Sequence, residues 1–303
     1  MADFPIETAS FQTILDFIRY GISLANKSDL YYGHGTDNAF DDIQALILGS
    51  LDLPFDVDDS FLNARLSETE KKDLTEKLKK RLIDKLPVPY LTNKAYFCDL
   101  EFYVDNRVLI PRSPIAELIK QQFSPWIEAE NVEAILDLCT GSACIAIAAA
   151  MYFPWAEVDA SDISKDALAV AAINCKKHGL EGDLNLIESD CFDKVPAKKY
   201  DLIISNPPYV GYEEMQTLPE EYNHEPKLAL ETENNGLAIV EKILAKAHDY
   251  LNDGGILVVE VGNSEEALCE HFSDLAFTWL DFEQGGQGVF LLTKDQLKAH
   301  FKA

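Results

Sequence analysis

The chain has 303 residues, of which 47% are apolar and 26% charged, and this length suffices for two domains or for one domain with a substantial appendage. No apolar run approaches the roughly 18 residues that a membrane-spanning helix needs. With 52 acidic and 26 basic residues, the net charge of -26 repels phosphate backbones and attracts basic proteins. The composition therefore argues against a membrane protein and against a general nucleic-acid binder.

The first residues, MADFPIETASFQ, contain no basic segment followed by an apolar stretch. A cytoplasmic protein is therefore expected. The six cysteines form no C-x-x-C pair and have no histidines at zinc-ligand spacing. We expect free thiols, with neither a disulfide nor a metal site.

Residues 1–94 are predicted to form a helical domain. Apolar residues recur at helical spacing in FQTILDFIRYGISLANKS, and again in DNAFDDIQALILGSL after a cap at Asp37 or Asn38. Ser67 and Glu70 have the spacing of a capping box at the start of a third helix. His34 is flanked by glycines ahead of a helix cap and is interpreted as a turn residue.

From residue 95 the pattern changes. Two β-rich runs around Asp105-Asn106 predict a β-hairpin, with residues 95–112 linking the helical domain to the rest of the chain. Apolar strands and helices then alternate, and the last two strands, in FTWLDFEQGGQGVFLLTK, are expected at an antiparallel edge. The predicted fold of residues 95–303 is therefore α/β, with a doubly wound, mostly parallel sheet of seven strands. Ligands of such sheets bind at the carboxyl ends of the strands.

The first of these strands ends in Asp137-Leu138-Cys139-Thr140-Gly141-Ser142-Ala143, and a helix of small residues follows at once. Because Gly141 has no Cβ, a ligand can approach its backbone closely. The turn fits neither the G-x-G-x-x-G pattern nor the P-loop pattern. Taken alone, the motif is better interpreted as an ordinary tight turn between a strand and a helix.

The next two strands also end in acidic residues. Asp162 lies roughly 20 residues beyond the turn, the position from which a carboxylate accepts hydrogen bonds from ribose hydroxyls. Alternatively, Asp162 or Ser164 caps the following helix. Asp190 could accept a hydrogen bond from an exocyclic amine and Phe192 could pack on a purine, although a helix cap and a core residue are equally good interpretations. Together the three strand ends indicate a nucleoside site.

The fourth strand, YDLIIS, is followed by Asn206-Pro207-Pro208-Tyr209. The prolines fix φ and remove N–H donors, so the Asn206 side chain and the Pro207 carbonyl can form a rigid pair of acceptors beside the flat face of Tyr209. A planar nitrogen that bears two hydrogens and is conjugated to a π system needs such a pair, because it is a poor nucleophile. Positioned acceptors stabilise the positive charge that develops on this nitrogen as it attacks an electrophilic methyl group.

These motifs resemble those of S-adenosylmethionine-dependent methyltransferases that act on planar amino groups, which have a Rossmann-like class I fold. The helical amino-terminal part and VLIPRSP are similar to the protein glutamine methyltransferases with the NPPY motif. YYGHGTDNAFDD, PVPYLTNKAYFC and HEPKLAL resemble, more narrowly, the bacterial enzymes that methylate a glutamine of large-subunit ribosomal protein L-three. The similarity extends over nearly the whole chain.

The resemblance implies S-adenosylmethionine as the methyl donor and S-adenosylhomocysteine as the product. It implies a cofactor site that contains Asp137, Cys139, Thr140, Gly141, Asp162, Ile163, Asp190, Cys191, Phe192 and Asn206. It also implies catalytic roles for Asn206, Pro207 and Tyr209, which with Pro208 hold the substrate amide. One departure is Ala143, where relatives commonly have a second glycine.

The implied partner is basic large-subunit ribosomal protein L-three, free or early in assembly, with the helical domain as recognition element. Such a substrate suits the acidic charge of the chain. Two alternatives remain open on the sequence: a methyltransferase of the adenine amino group, and a non-catalytic nucleoside-binding assembly factor. Against the first, the most basic run, KKDLTEKLKKR, is typical of a solvated helix face. The sequence leaves open the oligomeric state, the methylated glutamine and the role of Arg112.

Overall fold

A computed structural model describes residues 6–283 and 285–301 of the chain, and these form two compact units. The first unit contains the residues up to Ala95, together with Val104–Asn106 and Pro219–His224. The second contains Tyr96–Tyr103, Arg107–Leu218 and the residues from Glu225 onward. No helix within the described residues is long and apolar enough to cross a membrane.

The described residues of the first unit form four α-helices, which are α1 (Ile14–Ala25), α2 (Ala39–Ser50), α3 (Glu68–Leu82) and α4 (Val88–Thr92). Their starts follow from local side-chain caps. The Asn38 side chain accepts a hydrogen bond from the backbone of Asp41, so Asn38 is the cap of α2. The predicted capping box of α3 is confirmed, because Ser67 and Glu70 each accept a hydrogen bond from the other's backbone N–H.

The core of the first unit is largely apolar, and it contains a buried ion-pair cluster around Arg81, which is 2% exposed. The Arg81 Nε donates to Asp42 Oδ2 at 2.7 Å, and Nη1 lies 3.5 Å from Glu221 Oε1. Glu221 belongs to the distant segment Pro219–His224, so the charge pairing holds this segment in the helical unit. His34 is buried nearby, with its ring centroid 4.7 Å from that of Tyr222, in agreement with its structural interpretation.

The prediction of a hairpin around Asp105-Asn106 is wrong, because the hairpin forms earlier in the chain and, within the described residues, no strand follows Asn106 before residue 115. Strands β1 (Ala95–Phe97) and β2 (Leu100–Phe102) pair around Cys98 and Asp99, not around Asp105-Asn106. Both turn residues have positive φ, 49° and 63°, the backbone conformation of the tight turns whose twist matches that of paired strands. Asp105-Asn106 is the pair of residues that is typical of a turn. Cysteine rarely adopts positive φ, so the sequence does not indicate a turn at Cys98 and Asp99.

The second unit contains the remaining elements in chain order. They are α5 (Ile115–Lys120), β3 (Ala134–Leu138), α6 (Cys144–Tyr152), β4 (Glu157–Asp162), α7 (Lys165–Lys177), β5 (Leu184–Glu188), β6 (Tyr200–Ser205), α8 (Tyr212–Met215), α9 (Ala238–Tyr250), β7 (Leu251–Glu260), α10 (Glu265–His271), β8 (Thr278–Trp279), β9 (Val289–Thr293) and α11 (Lys294–Phe301).

The described strands of the second unit's main sheet number seven, in the order β5-β4-β3-β6-β7-β9-β8. Strands β3 to β7 are parallel, whereas β9 runs antiparallel to both of its neighbours. The predicted doubly wound, mostly parallel sheet is therefore confirmed. The strand order reverses between β3 and β6, and the loops that follow these two strands lie side by side at the place where such sheets bind ligands.

Strand residues that point to either side of the sheet are apolar. Both faces of the sheet are therefore covered by helices. On one face Ile135 packs with α5, α6 and α7, and on the other Leu136 packs with α9, α10 and α11. Helix α6 is rich in alanine, and its residues from Cys144 to Ala149 are buried. Small side chains allow this helix to lie close to the sheet, so the turn that leads into it is held rigidly.

Candidate active site

Hydrogen bonds between adjacent loops join the carboxyl ends of the parallel strands. The Thr140 N–H donates to the carbonyl of Ser161 at 2.9 Å, and the Ser189 N–H donates to the carbonyl of Asp162 at 2.9 Å. The Ser205 hydroxyl donates to the carbonyl of Leu138 at 2.9 Å. The loops after β3, β4, β5 and β6 therefore form one continuous edge, as the sequence predicts for the candidate residues.

The turn from β3 to α6 alternates between ordinary and left-handed backbone. Cys139, Gly141 and Ala143 have φ values of 59°, 56° and 63°. A Cβ placed on Gly141 would meet nothing within 4 Å, so the side of the turn where a side chain would project is open. Ala143 is 0% exposed and points into the core. Its methyl group therefore stays clear of the open side, and the cost of alanine here is backbone strain of about 1 kcal/mol.

A hydrogen bond between Asp137 and Thr140 stabilises the turn after β3. The Thr140 hydroxyl donates to Asp137 Oδ2 at 2.5 Å, and the Asp137 side chain is 0% exposed. Burial raises the pKa of Asp137 to about 7. The structure thus gives Asp137, which the resemblance includes in the cofactor site, a direct role in shaping the turn.

The Asp162 carboxylate accepts hydrogen bonds both from the turn after β3 and from the loop after β4. Its Oδ2 accepts the Gly141 N–H at 2.9 Å, and its Oδ1 accepts the Ser164 N–H at 2.8 Å. The Gly141 N–H is therefore bonded to Asp162 and does not point toward the open side of the turn as a free donor. Ser164 caps α7, and burial raises the pKa of Asp162. Ile163 is 53% exposed at the same strand end and offers an apolar surface.

The loop after β5 contains three of the candidate residues, Asp190, Cys191 and Phe192. Asp190 is partly exposed and pairs with Lys242, whose Nζ lies 2.9 Å from Oδ2. Phe192 is 1% exposed and stacks on Tyr250 with ring centroids 4.5 Å apart. Its ring is therefore a core side chain, which is one of the two interpretations that the sequence allows. Cys191 is buried and has positive φ, 45°. A hydrogen bond with Cys191, together with burial, raises the pKa of Cys139.

The motif after β6 is held by several contacts from β7 and the loop that follows it. The Tyr209 hydroxyl donates to Glu260 Oε1 at 3.1 Å, and the Ser264 hydroxyl donates to the Tyr209 carbonyl at 2.8 Å. Gly262 lies against the Tyr209 ring so closely that a Cβ there would be 2.5 Å from the ring. Asn206, Pro208 and Tyr209 are partly exposed, whereas Pro207 is buried. The fixed tyrosine face that the sequence predicts is thus present.

Glu260 is the main residue of the site that the sequence analysis missed. It is the last residue of β7 and is 6% exposed, and its Oε2 accepts a hydrogen bond of 2.5 Å from the Ser113 hydroxyl. Burial raises the pKa of Glu260, against the opposing influence of hydrogen bonds from Ser113, Tyr209 and Asn206 and of the nearby Arg112 charge. The sequence feature that could have identified Glu260 is a carboxylate at the carboxyl end of an otherwise apolar strand, ILVVE.

Arg112 supports the chain near the site. Its two terminal nitrogens donate to the two oxygens of Glu225 at 2.7 and 2.8 Å, and its Nη1 also donates to the carbonyl of Ile110. The Ile110 N–H donates to Glu225 Oε1 at 3.0 Å. These contacts favour the bracing role for Arg112 over a substrate-binding role.

With this geometry established, comparisons identify the family. The model of the methyltransferase small domain matches residues 121–222. The chain is 46% identical over 289 residues to the ribosomal protein uL3 glutamine methyltransferase of Francisella tularensis subsp. tularensis, covering 95% of this chain and 92% of that one. The chain belongs to the family of uL3 glutamine methyltransferases. The enzyme of the same description from Neisseria meningitidis serogroup B is also 46% identical, over 286 residues, with 94% of each chain covered.

Solved structures of methyltransferases are similar in fold at much lower identity. A methyltransferase from Pyrococcus furiosus is 19% identical with a TM-score of 0.48, covering 76% of this chain and 99% of that chain. The ribosomal protein L11 methylase of Lactobacillus delbrueckii subsp. bulgaricus is 19% identical with a TM-score of 0.41, covering 59% of this chain and 77% of that one. The predicted family and enzyme class, an S-adenosylmethionine-dependent protein-glutamine methyltransferase, are confirmed by the curated relatives.

Proposed function

We propose that this chain transfers a methyl group from S-adenosylmethionine to the side-chain amide nitrogen of a glutamine in ribosomal protein uL3. The observation that carries the proposal is the NPPY motif, fixed at the carboxyl end of β6 beside the open turn after β3, in a member of this family. The motif needs no enzyme nucleophile, because the reacting nitrogen comes from the substrate.

The residues at the strand ends suit an adenosyl cofactor. The open side of Gly141 leaves room for a ligand, and the exposed Ile163 offers an apolar surface for a base. Each Asp162 oxygen accepts one backbone hydrogen bond, so lone pairs remain for ribose hydroxyls. Cys139, Thr140, Cys191 and the Asp190 carboxylate complete the proposed site. When bound, the sulfonium supplies an electrophilic methyl group.

The chain's own residues orient the nucleophile. In the proposed complex the Asn206 side-chain oxygen and the Pro207 carbonyl accept the two amide hydrogens, Pro208 keeps the corner rigid, and Tyr209 packs on the amide plane. With the cofactor bound, the lone pair of the nitrogen would form the N–C bond as the C–S bond breaks, and the electrons of that bond would remain on sulfur. The amide then gives one proton to solvent. The acceptors lower the barrier by stabilising the charge that develops on nitrogen.

The helical unit is proposed to recognise the substrate. Residues 28–64 contain eight aspartates and no lysine or arginine. In the same stretch Phe40, Phe55 and Phe61 are each more than half exposed. Exposed aromatic rings among acidic side chains suit a basic polypeptide, because long-range charge guides the encounter and apolar contacts add affinity. Free uL3, or uL3 early in assembly, is therefore the preferred form of the substrate.

The test is methylation of purified free uL3 by the purified chain with isotopically labelled S-adenosylmethionine. We expect label on one glutamine, located by peptide mass spectrometry, and none on naked ribosomal RNA or duplex DNA. The Asn206→Ala variant should remain folded and lose the activity. Label on adenine instead would overturn the proposal in favour of base methylation, and absence of transfer to either would favour a binding protein.

A further inference from the structure

Two short helical turns lie next to the NPPY motif and bury none of their own residues. Helix α8 begins at Tyr212, three residues after Tyr209, and a 3₁₀ turn covers Lys227–Ala229. No residue of either turn is buried. Burial of their own side chains therefore does not explain why these turns are held beside the motif.

Hydrogen bonds hold both turns in place. Val210, the residue directly after the motif, donates its N–H to the Leu230 carbonyl at 2.9 Å, and its own carbonyl accepts the Thr232 N–H at 3.0 Å. The segment that contains the 3₁₀ turn is thus paired with the chain that leaves the motif. On α8, Glu214 Oε1 accepts a hydrogen bond of 2.8 Å from the side chain of Asn263, in the loop after β7 that also contacts the motif. Both turns are therefore fixed relative to the motif.

Each turn presents a large apolar side chain to solvent. Tyr212 is 69% exposed and Leu228 is 57% exposed. A single exposed apolar side chain is common and needs no explanation. These two, however, lie on turns that polar contacts hold at the motif, and tyrosine is enriched at protein interfaces. Any polypeptide whose glutamine side chain reaches the motif also brings the neighbours of that glutamine close to it.

The charge around the two exposed side chains favours a basic polypeptide. Within the second unit, residues 211–218 and 225–235 contain five glutamates and one lysine. Among these glutamates, Glu213 and Glu233 are exposed. Such a surface repels phosphate groups and attracts lysine and arginine side chains. The occupant that fits is a segment of the basic protein substrate and not a nucleic-acid strand.

We propose that Tyr212 and Leu228 bind the residues of uL3 that flank the methylated glutamine. Apolar side chains of uL3 contact Tyr212 and Leu228, and lysine or arginine side chains lie near Glu213 and Glu233. This assignment rests on the proposed function and deepens it, because it names the part of the substrate that this surface recognises. In the proposed complex the motif holds the amide, which is the same in every glutamine. Selection of one glutamine among several therefore depends on its neighbours.

The first test is the double variant Tyr212→Ala/Leu228→Ala, assayed on purified uL3. Loss of two interface side chains should raise the KM for uL3 about tenfold, while kcat and the KM for S-adenosylmethionine stay near the wild-type values. Tyr96→Ala/Ile173→Ala is the matched control, because these side chains of the second unit are 64% and 41% exposed and lie outside the two turns. An unchanged KM for uL3 in the first variant, or an equal rise in the control, would overturn the proposal.

The second test uses hydrogen exchange of the wild-type chain, so it does not depend on the folding of a variant. Addition of uL3 in the presence of S-adenosylhomocysteine should slow exchange of backbone amides in residues 212–218 and in Lys227–Ala229. Unchanged exchange in both segments, while other amides are protected by uL3, would overturn the proposal. If wild type transfers methyl groups to uL3 and both tests are negative, this assignment alone fails. If wild type leaves uL3 unmodified, the proposed function fails and this assignment fails with it.

Discussion

Arg112 and Glu225 form a two-point ion pair between segments 113 positions apart in the chain. The Glu225 side chain is fully buried and that of Arg112 is 22% exposed. Arg112 directly precedes Ser113, which bonds to Glu260, so the pair stabilises the backbone beneath the substrate motif. Its contribution can be measured by removing either partner.

We expect Arg112→Ala to destabilise the chain by about 3–5 kcal/mol, because it leaves the Glu225 carboxylate buried without its cation. Chemical denaturation monitored by circular dichroism would measure this loss. Arg112→Lys keeps the charge but not the paired geometry, so its loss should be smaller. Equal unfolding midpoints for wild type and Arg112→Ala would contradict the bracing role.

Gly262 provides a test of the Tyr209 ring position. Gly262 has φ of 47°, and an alanine Cβ would lie 2.5 Å from the Tyr209 ring. The ring must move, so we expect Gly262→Ala to lower kcat for uL3 by about 10- to 100-fold, the effect of a displacement near 1 Å at a reacting group. Cofactor affinity, measured by calorimetry, should change little.

Gly254→Ala is the matched control for this substitution. Gly254 also has positive φ, 82°, and lies on β7, the strand that precedes Gly262, but a Cβ there meets nothing within 4 Å. The two variants therefore share the backbone cost of alanine at positive φ and differ in the clash with Tyr209. Similar kcat values in both would show that strain, and not the ring, accounts for any loss.

The sequence predicted the elements that local rules determine. The Ser67 capping box, the alternation of strands and helices, and the position of Asn206 after β6 all depend on residues close together in the chain. The missed features depend on contacts between distant residues. Glu260 acquires its role only when β7 pairs with β6, and Glu221 joins the helical unit through contacts with Tyr31 and Arg81. Phe192 illustrates the same limit, since only folding shows that Tyr250 covers its ring.

The acidic aromatic surface of the helical unit should govern substrate binding without affecting the chemical step. We expect the double variants Phe40→Ser/Phe55→Ser and Asp56→Asn/Asp59→Asn to raise the KM for uL3 several-fold, with kcat and cofactor affinity unchanged. The effect of the charge variant should decrease at high salt, because screening already weakens exposed charges there.

Asp274→Asn/Asp281→Asn is the control for net charge. Both residues are exposed carboxylates of the second unit, so this variant changes the total charge by the same amount as Asp56→Asn/Asp59→Asn. An identical KM for the two charge variants would mean that overall acidity guides uL3. A higher KM in Asp56→Asn/Asp59→Asn alone would favour contact with the helical unit.

Asp137 should make stability depend on pH in an unusual direction. Burial raises its pKa from 3.8 to about 7 in the folded chain. Between these two values the folded chain holds a proton that the unfolded chain has released, so stability decreases as pH rises. The stabilisation is therefore complete below about pH 4 and is lost as pH rises through about 7. Asp137→Asn cannot titrate and should remove this component.

The measurement is urea denaturation of wild type and Asp137→Asn from pH 5 to pH 9, with the difference in unfolding free energy plotted against pH. As pH rises to about 7, the unfolding free energy of wild type should fall relative to that of the variant. Above about pH 7 the two curves should run parallel. Because Thr140 still finds an oxygen acceptor in asparagine, the turn should keep its shape. Parallel curves over the whole range would show that Asp137 titrates below pH 5, and that the hydrogen bond from Thr140 outweighs burial.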